Sequence, residues 1–301
     1  MIPVLVNRTG GTAAAMGDGL ADAVEQAFEK TGTAIDLRLV EGDDLKDAVR
    51  AAVGAPIIVV GGGDGTLGGA ADIVADSGAA LGVLPLGTRN HLAQELGIPL
   101  DLAGAAAVIA AGRTRRIDLA RANGHGFINN ASIGLYPSLV EFRDAERERH
   151  PMPKWLAAVP ATFATLKRLR HHRLRLDLPG SHREIVTPML FVGNNCYTLA
   201  AGRVGQREAL DGGTLSVFAV ARSSRMALIG LALRTLIGRA DSAHDFAAIG
   251  ECDTLRVDGG SHDVSVALDG EVVRLSLPIA FTINAGALRV VAPLESGAAT
   301  P

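Results

Sequence analysis

The sequence is poor in the residues that mark several large classes of protein. Its 301 residues include two cysteines. Cys196 and Cys252 are far apart and lack the spacing of a metal site, so we expect two free thiols in a reducing compartment rather than a disulfide framework. The formal net charge of −3 excludes attraction to nucleic acid by bulk electrostatics, and we expect no nucleic-acid partner.

Long hydrophobic runs are missing as well. The longest apolar stretch, residues 226–237, is too short to span a bilayer and contains Arg234. The chain opens directly on an apolar strand pattern, MIPVLVN, from which we expect no signal peptide. We therefore predict a cytoplasmic protein whose contact with a membrane is peripheral, at the inner face.

What the chain does contain is a high share of apolar residues. They make up 48% of the sequence, which is typical of a packed globular protein, and the length allows two domains. In the first part of the chain, strand and helix patterns alternate, which predicts a parallel sheet with helices on both faces, in three layers. The predicted strands are residues 4–6, 35–40, 57–60 and 80–84, and the predicted helices are residues 20–30, 44–53 (capped by Asp43 or Asp44), 67–76, 91–96 and 102–111.

From residue 126 onwards the periodicity changes to short strands joined by turns. This pattern predicts an antiparallel β domain, a sandwich, interrupted by helices over residues 153–171 and 225–237. The predicted strands are residues 126–133, 173–178, 187–192, 213–220, 254–257, 264–268 and 272–277, with a last strand over 287–291 that returns to the first domain. We therefore predict an α/β domain of residues 1–119 with 286–301, and a β-sandwich domain of residues 120–285.

The most informative segment is the glycine loop, residues 61–66 (GGGDGT), which directly follows the predicted strand at residues 57–60. Its glycines allow backbone amides to approach a ligand closely, and Thr66 is predicted to cap the next helix, so the loop is typical of an anion site. Asp64 would repel phosphate unless a metal ion bridges the two or the acid handles a proton, which favours phosphoryl transfer. A glycine-rich turn is also common in α/β proteins, and this one has neither the Walker nor the dinucleotide-binding spacing.

Two other polar loops follow predicted strands of the same domain. We call them the Asn7 loop (residues 7–11, NRTGG) and the Pro85 loop (residues 85–90, PLGTRN). Because the carboxyl ends of parallel strands share one edge of a sheet, all three loops are expected to converge where such sheets bind ligands.

Six segments together resemble the diacylglycerol kinase catalytic family, the bacterial lipid kinases related to sphingosine kinases. In the family's order they are VNRTGG (6–11), GGGDGT (61–66), LPLGTRN (84–90), NNASIGLY (129–136), GNN (193–195) and LDGE (268–271). GGDGT alone is shared with NAD kinases and is similar to the phosphofructokinase loop. The combination with PLGT-x-N and a late DGE is what carries the resemblance.

The resemblance implies a nucleotide-binding α/β domain and a β-sandwich, with the active site in a cleft between them. It also implies that ATP and Mg²⁺ are used and that the γ-phosphate passes to a lipid hydroxyl, of diacylglycerol or a related lipid. By match, the nucleotide-binding residues are Asn7, Arg8, Thr9, Gly62, Gly63, Gly65, Thr66, Gly87, Thr88 and Asn90. Asp64 is implied as the Mg²⁺ partner, and Asp269 and Glu271 as the proton-accepting region. From the residues alone, LDGE is better interpreted as a surface β-turn, since Asp-Gly is a common hairpin signal, and the family resemblance is what favours the proton-accepting role.

The chain departs from the family pattern at four places. Residues 67–69 (LGG) replace a polar Asn-Glu pair, and Asp211 lacks a second aspartate beside it, which puts a structural Mg²⁺ at Asp211 in doubt. Arg89 replaces a small residue and either supplies charge to phosphate or covers the loop. His91 replaces an aspartate and is interpreted as a helix-start residue.

The remaining expectations concern partners. The predicted helix over residues 153–171 has an apolar face and a basic end, so it either lies on an anionic bilayer or packs on the sandwich. We expect a lipid substrate, a peripheral membrane surface and a homodimer. Two other functions remain open at this point: a kinase for NAD or a sugar phosphate, and a nucleotide-binding module that has lost catalysis.

Overall fold

The computed structural model describes residues 1–42, 44–134, 137, 171–198, 206, 207, 209–220 and 246–293. It divides into two compact units. The first consists of the described parts of Met1–Leu119, Gly126–Asn129 and Asn284–Pro301, and the second of those of Ala120–His125 and Asn130–Ile283. Two strands, β5 (Thr114–Ala122) and β18 (Ile279–Val291), have residues in both units.

The first unit contains alternating strands and helices. These are β1 (Ile2–Asn7), α1 (Gly11–Met16), a 3₁₀ turn (Gly17–Gly19), α2 (Leu20–Glu29), β2 (Ile35–Val40), α3 (Leu45–Ala51), β3 (Ile57–Gly62), α4 (Asp64–Ser77), β4 (Ala80–Pro85), α5 (His91–Glu95) and α6 (Leu102–Ala111). Helix α6 begins and ends at the predicted residues. The Asp101 side chain caps its start by accepting a hydrogen bond from Gly104 N at 2.8 Å, and Gly112 ends it in the left-handed conformation.

The sheet of the first unit has the strand order β2-β1-β3-β4, with all neighbours parallel. The carboxyl-terminal part of β18 adds a further parallel strand, pairing Arg289 with Ala80 and Val290 with Leu81. From β1 the chain moves outward to β2, and from β3 it moves outward to β4 on the other side. The boundary between β1 and β3 is therefore a topological switch point, where open α/β sheets bind ligands.

Helices cover both faces of this sheet. Helix α2 packs on α6, which contacts β4, while α3 packs on α4, which contacts β3. Strand β4 is buried along its whole length and β3 at all positions except its first. This burial explains why both strands read as continuous apolar runs rather than as alternating ones.

The second unit is antiparallel. Its remaining elements are β6 (His125–Phe127, shared with the first unit), β7 (Asn130–Gly134), β8 (His172–Leu178), β9 (Ser181–Thr187), β10 (Met189–Asn194), β11 (Tyr197–Thr198), β12 (Gln206–Arg207), β13 (Leu215–Val220), β14 (Phe246–Cys252), β15 (Thr254–Gly259), β16 (Asp263–Leu268) and β17 (Glu271–Ser276). One sheet has the order β14-β13-β10-β7-β16-β17, and in another β15 pairs with β8 and with the first half of β18. The predicted fold class, an α/β domain followed by an antiparallel β domain, is confirmed.

Several sequence-based boundaries were wrong. The segment 126–133 is two strands, and the predicted strand over 187–192 begins at Met189, after Pro188. Strands β9, β14 and the first half of β18 were not predicted. Asp44 occupies the N-cap position of α3 but its side chain makes no capping hydrogen bond.

Some predicted elements fall outside the described residues. The helices over residues 153–171 and 225–237 do so, apart from His171, and so does Asp43. Within the part that the structure does describe, we find no helix with the length and hydropathy needed to cross a bilayer.

Candidate active site

The three polar loops meet at the carboxyl edge of the first unit's sheet. Thr12 N donates to Leu86 O at 2.9 Å, which joins the end of the Asn7 loop to the Pro85 loop. The Pro85 loop also contacts the glycine loop closely, because a Cβ placed on Gly87 would lie 2.4 Å from the Cα of Gly63. No residue other than glycine fits this contact without a backbone shift. The convergence expected from strand order is therefore present, and glycine is required at the point of closest approach.

The glycine loop leads into helix α4 earlier than predicted. The helix begins at Asp64 and its N-cap is Gly63, in an extended conformation, so the prediction that Thr66 caps the helix was wrong. Thr66 is instead in the first turn, and its hydroxyl accepts a hydrogen bond from Asn7 Nδ2 at 3.2 Å. The amides of the first turn have no partner inside the helix, and together with the helix dipole they favour an anion at this end.

The Asn7 loop is shaped by its own side chains. Asn7 Oδ1 accepts hydrogen bonds from the backbone N of Thr9 at 3.0 Å and from its hydroxyl at 2.7 Å, a local turn that fixes the loop after β1. Arg8 forms an exposed ion pair with Glu41 at 2.8 Å. Asn7 thus holds both its own loop and Thr66 in the glycine loop.

Asn90 is the internal brace of the Pro85 loop. It is buried and left-handed, with φ of 51°. Its Oδ1 accepts from Gly87 N at 2.8 Å, and its Nδ2 donates to Gly87 O at 3.0 Å and Pro85 O at 3.3 Å. These bonds use the side-chain amide within the loop, so Asn90 shapes the Pro85 loop rather than presenting its amide to solvent. Thr88, beside it, is exposed.

Asp64 is held by the start of helix α5. Its two carboxylate oxygens accept hydrogen bonds from the backbone amides of His91, at 3.2 Å, and Leu92, at 3.1 Å. The N-terminal amides of a helix favour a negative charge, which explains how a carboxylate is tolerated beside the first-turn amides of α4. Asp64 therefore has a positioning role for the segment that follows the Pro85 loop.

The LDGE segment lies in the second unit and forms the turn between β16 and β17. Leu268 pairs with Glu271, and the two residues between them, Asp269 and Gly270, have φ of 49° and 93°. A two-residue hairpin with positive φ at both positions is what Asp-Gly favours. The Asp269 backbone N donates to Asn130 O at 2.9 Å, and its Oδ1 accepts from Asn130 N at 3.0 Å. Asp269 is partly buried and fixed by these bonds, whereas Glu271 is exposed.

The metal and thiol predictions have different outcomes. Among the described residues, no group of three or more His, Cys, Asp or Glu side chains is placed to hold a metal ion, and Asp211 is exposed in the loop before β13. A structural Mg²⁺ at Asp211 stays a prediction. Within the described part of the chain, Cys196 and Cys252 are not joined in a disulfide bond.

Two features of this region could not be read from the sequence. One is the pairing of Asp64 with helix amides 27 and 28 residues away. The other is Asp72 in α4, whose carboxylate accepts a short hydrogen bond from the Gly126 amide. A Cβ on Gly126 would collide with this carboxylate. Neither motif spacing nor periodicity signals these contacts, and the expected meeting of Asp64 with Asp269 and Glu271 stays a prediction.

Known proteins resemble the chain over most of its length. The model of the diacylglycerol kinase catalytic domain matches residues 1–122. A Pseudomonas aeruginosa protein named "Probable lipid kinase YegS-like" is 30% identical over 250 residues, covering 81% of this chain and 79% of that protein. An uncharacterized protein of Synechocystis is 28% identical over 258 residues, and the match covers 81% of this chain but 56% of the relative.

Two crystal structures from Bacillus anthracis have a similar fold. One gives a TM-score of 0.71 at 22% identity, covering 97% of this chain and 95% of the other. The second, of a diacylglycerol kinase, gives a TM-score of 0.66 at 19% identity, covering 97% of both chains. At such identities the likeness establishes a shared fold and nothing finer.

Proposed function

The chain belongs to the diacylglycerol kinase catalytic family, and on this basis we propose that it transfers the γ-phosphate of ATP to the hydroxyl of a lipid, diacylglycerol or a relative of it. The observation that carries the proposal is the contact of the three polar loops at the switch point of the first unit's sheet. Family membership supports a lipid kinase, and the loop geometry supports phosphate binding at this edge.

Mg²⁺ bound together with ATP would supply charge neutralisation at the phosphates. The first-turn amides of α4, which have no partner inside the helix, and the close-packed glycines fit a phosphate chain. Mg²⁺ bound with a nucleotide needs few protein ligands, and Asp64 is the carboxylate of the glycine loop, so it is the residue that would hold the ion. Because Asp64 also binds the start of α5, it couples this role to the position of the following segment.

A lipid hydroxyl is a poor nucleophile, so its proton has to pass to a base as phosphorus is attacked. We assign this role to the LDGE turn. Asp269 is the first member, because the hydrogen bond from Asn130 N to its Oδ1 orients its carboxylate. Glu271, exposed on the next strand, is the second carboxylate of the proposal.

A lipid substrate implies that the protein binds peripherally to a bilayer, at the inner face of the membrane, when it transfers phosphate. Flotation of the purified protein with anionic and neutral vesicles measures this association directly. A protein that stays at the bottom of the gradient with both vesicle types would contradict peripheral binding.

The acceptor class is tested with labelled ATP and three acceptors: diacylglycerol, sphingosine and NAD. Label recovered in an organic extract supports the lipid kinase. Label confined to a water-soluble product would instead support a kinase of NAD or of sugar phosphates, and ATP binding without transfer would indicate a module without catalysis.

Asp64→Asn is expected to abolish turnover, because an amide cannot replace the charge at the phosphates or accept both helix bonds. Asp101→Asn is the matched control, since it alters a capping carboxylate on α6. ATP binding measured with Mg²⁺ and with EDTA separates two causes. An effect confined to Mg²⁺ supports metal binding, one that persists in EDTA supports positioning alone, and full turnover would contradict both.

Asp269→Asn and Glu271→Gln are each expected to lower kcat by about 10²–10⁴-fold if the LDGE turn supplies the base. Asp263→Asn, at the other end of the same hairpin, should leave kcat unchanged because its carboxylate contacts Ser276 instead. Near-wild-type rates in both LDGE variants would reduce the segment to a structural turn.

A further inference from the structure

The three loops carry little positive charge for a site that receives a phosphate chain. Within residues 7–11, 61–66 and 85–90, the cations are Arg8 and Arg89 and the anion is Asp64. Arg8 is already engaged, because it forms an ion pair with Glu41 at 2.8 Å. Asp64 is compensated by the amides of α5. Among the described residues, Arg89 is thus the cation of the loops whose side chain forms no ion pair or hydrogen bond.

The backbone of Arg89 is fixed on both sides. Asn90, next in the chain, braces the Pro85 loop through Gly87 and Pro85. The carbonyl of Arg89 accepts a hydrogen bond from Gln94 Nε2 at 2.5 Å. The loop in turn contacts Gly63, the N-cap of α4, through Gly87. These contacts hold the Arg89 main chain beside the amides that the phosphates are proposed to bind.

The side chain of Arg89 has no such constraint. It is exposed, and its guanidinium has neither a hydrogen bond nor an ion pair with any residue that the structure describes. An arginine that merely covered the loop would donate to loop carbonyls, and these are bonded instead by Asn90 and Gln94. The guanidinium is planar, permanently charged and carried by a main chain that is fixed, so it is suited to bidentate binding of phosphate.

We infer that Arg89 binds the phosphate chain of the nucleotide and sets the preference for ATP over less-phosphorylated ligands. The inference rests on the proposed function, since it assigns a residue to the nucleotide site of that kinase. No step of the transfer is assigned to Arg89. Its contribution is affinity that grows with the number of phosphates on the ligand.

The test is calorimetric titration of the full chain with adenosine, AMP, ADP and ATP in Mg²⁺. Arg89→Ala should weaken ATP binding roughly tenfold, as expected for one lost charge-assisted contact, and should leave adenosine binding unchanged. Arg89→Lys should recover part of the loss, because it keeps the charge but not the fork. Arg50→Ala, an exposed arginine on α3 paired with Asp47, is the control and should bind like the wild type.

Two further readouts separate phosphate binding from a structural role. The dependence of ATP affinity on ionic strength should be shallower in Arg89→Ala, because a charge contact has been removed. The melting temperature should be unchanged, since the side chain is exposed. Equal losses for adenosine and ATP, or no loss for ATP beside a wild type that binds it, would overturn the inference alone. A wild type that binds no phosphorylated nucleotide would overturn the proposed function as well.

Discussion

Replacing Asn90 tests the brace of the Pro85 loop and can be given a magnitude from the structure. Asn90→Gly removes three hydrogen bonds, at 2.8, 3.0 and 3.3 Å, and leaves the Gly87 amide without its acceptor. An unsatisfied buried donor costs about 1–3 kcal/mol and each remaining bond contributes roughly 0.5–1.5 kcal/mol. We therefore expect a loss of about 2–6 kcal/mol in the free energy of unfolding of the first unit.

Asn90→Ala adds a second effect that Asn90→Gly avoids. The backbone at this position has φ of 51°, which glycine adopts freely and asparagine tolerates, whereas a residue with an alanine Cβ is strained by roughly 1–2 kcal/mol. Asn90→Ala should therefore be less stable than Asn90→Gly by about 1 kcal/mol. We therefore expect the free energy of unfolding to decrease in the order wild type, Asn90→Gly, Asn90→Ala.

Urea denaturation followed by circular dichroism measures both differences, as shifts in midpoint at an unchanged slope. Hydrogen exchange at the Gly87 amide gives a local measurement, because that amide loses its acceptor in both variants. Free energies of unfolding within about 0.5 kcal/mol of the wild type would refute the contribution of the hydrogen-bond network. A glycine variant less stable than the alanine variant would refute the strain argument.

Two further predictions use residues near and far from the loops. Gly87→Ala should reduce ATP binding, because its Cβ would lie 2.4 Å from Gly63 Cα. Gly19→Ala, which lies outside the three loops and whose Cβ would have no described atom within 4 Å, should not, and equal affinities of the two variants in calorimetry would contradict the close contact. Burial, with a smaller effect of Asp253, raises the pKa of the Cys252 thiol to about 11, so Cys252 should resist a disulfide reagent at pH 8 until the protein is unfolded. Because the unfolded thiol loses its proton at a lower pH than the folded thiol, the free energy of unfolding should fall as pH rises from about 9 towards 11. Rapid labelling of the native protein at pH 8 would contradict the raised pKa of Cys252.

The fold of the first unit was largely accessible from the sequence because its signals are local. Strand β2 and helix α6 begin and end where alternation and capping residues predict. The second unit was harder, because β9 has a polar sequence, SHREIVT, and pairs with a neighbour on one side. Strand β18 was recognised only over its last five residues, since Gly286 at φ of 59° interrupts its pattern.

The candidate site shows the same limit more sharply. The sequence indicates which loops carry polar residues and that parallel strands bring them to one edge. It does not indicate that Asp64 binds amides of α5, or that Asn90 turns its amide back into its own loop. These arrangements depend on distances between loops that only packing of the sheet and helices determines.

The pairing of β18 with β4 has a consequence for the folding of truncated and newly synthesised chains. Residues 1–122, the span matched by the kinase domain model, lack the strand that covers one side of β4. Since β4 is buried throughout, a fragment ending there would expose an apolar edge that invites aggregation. On the ribosome, the sheet of the first unit would likewise close only after β18 had emerged.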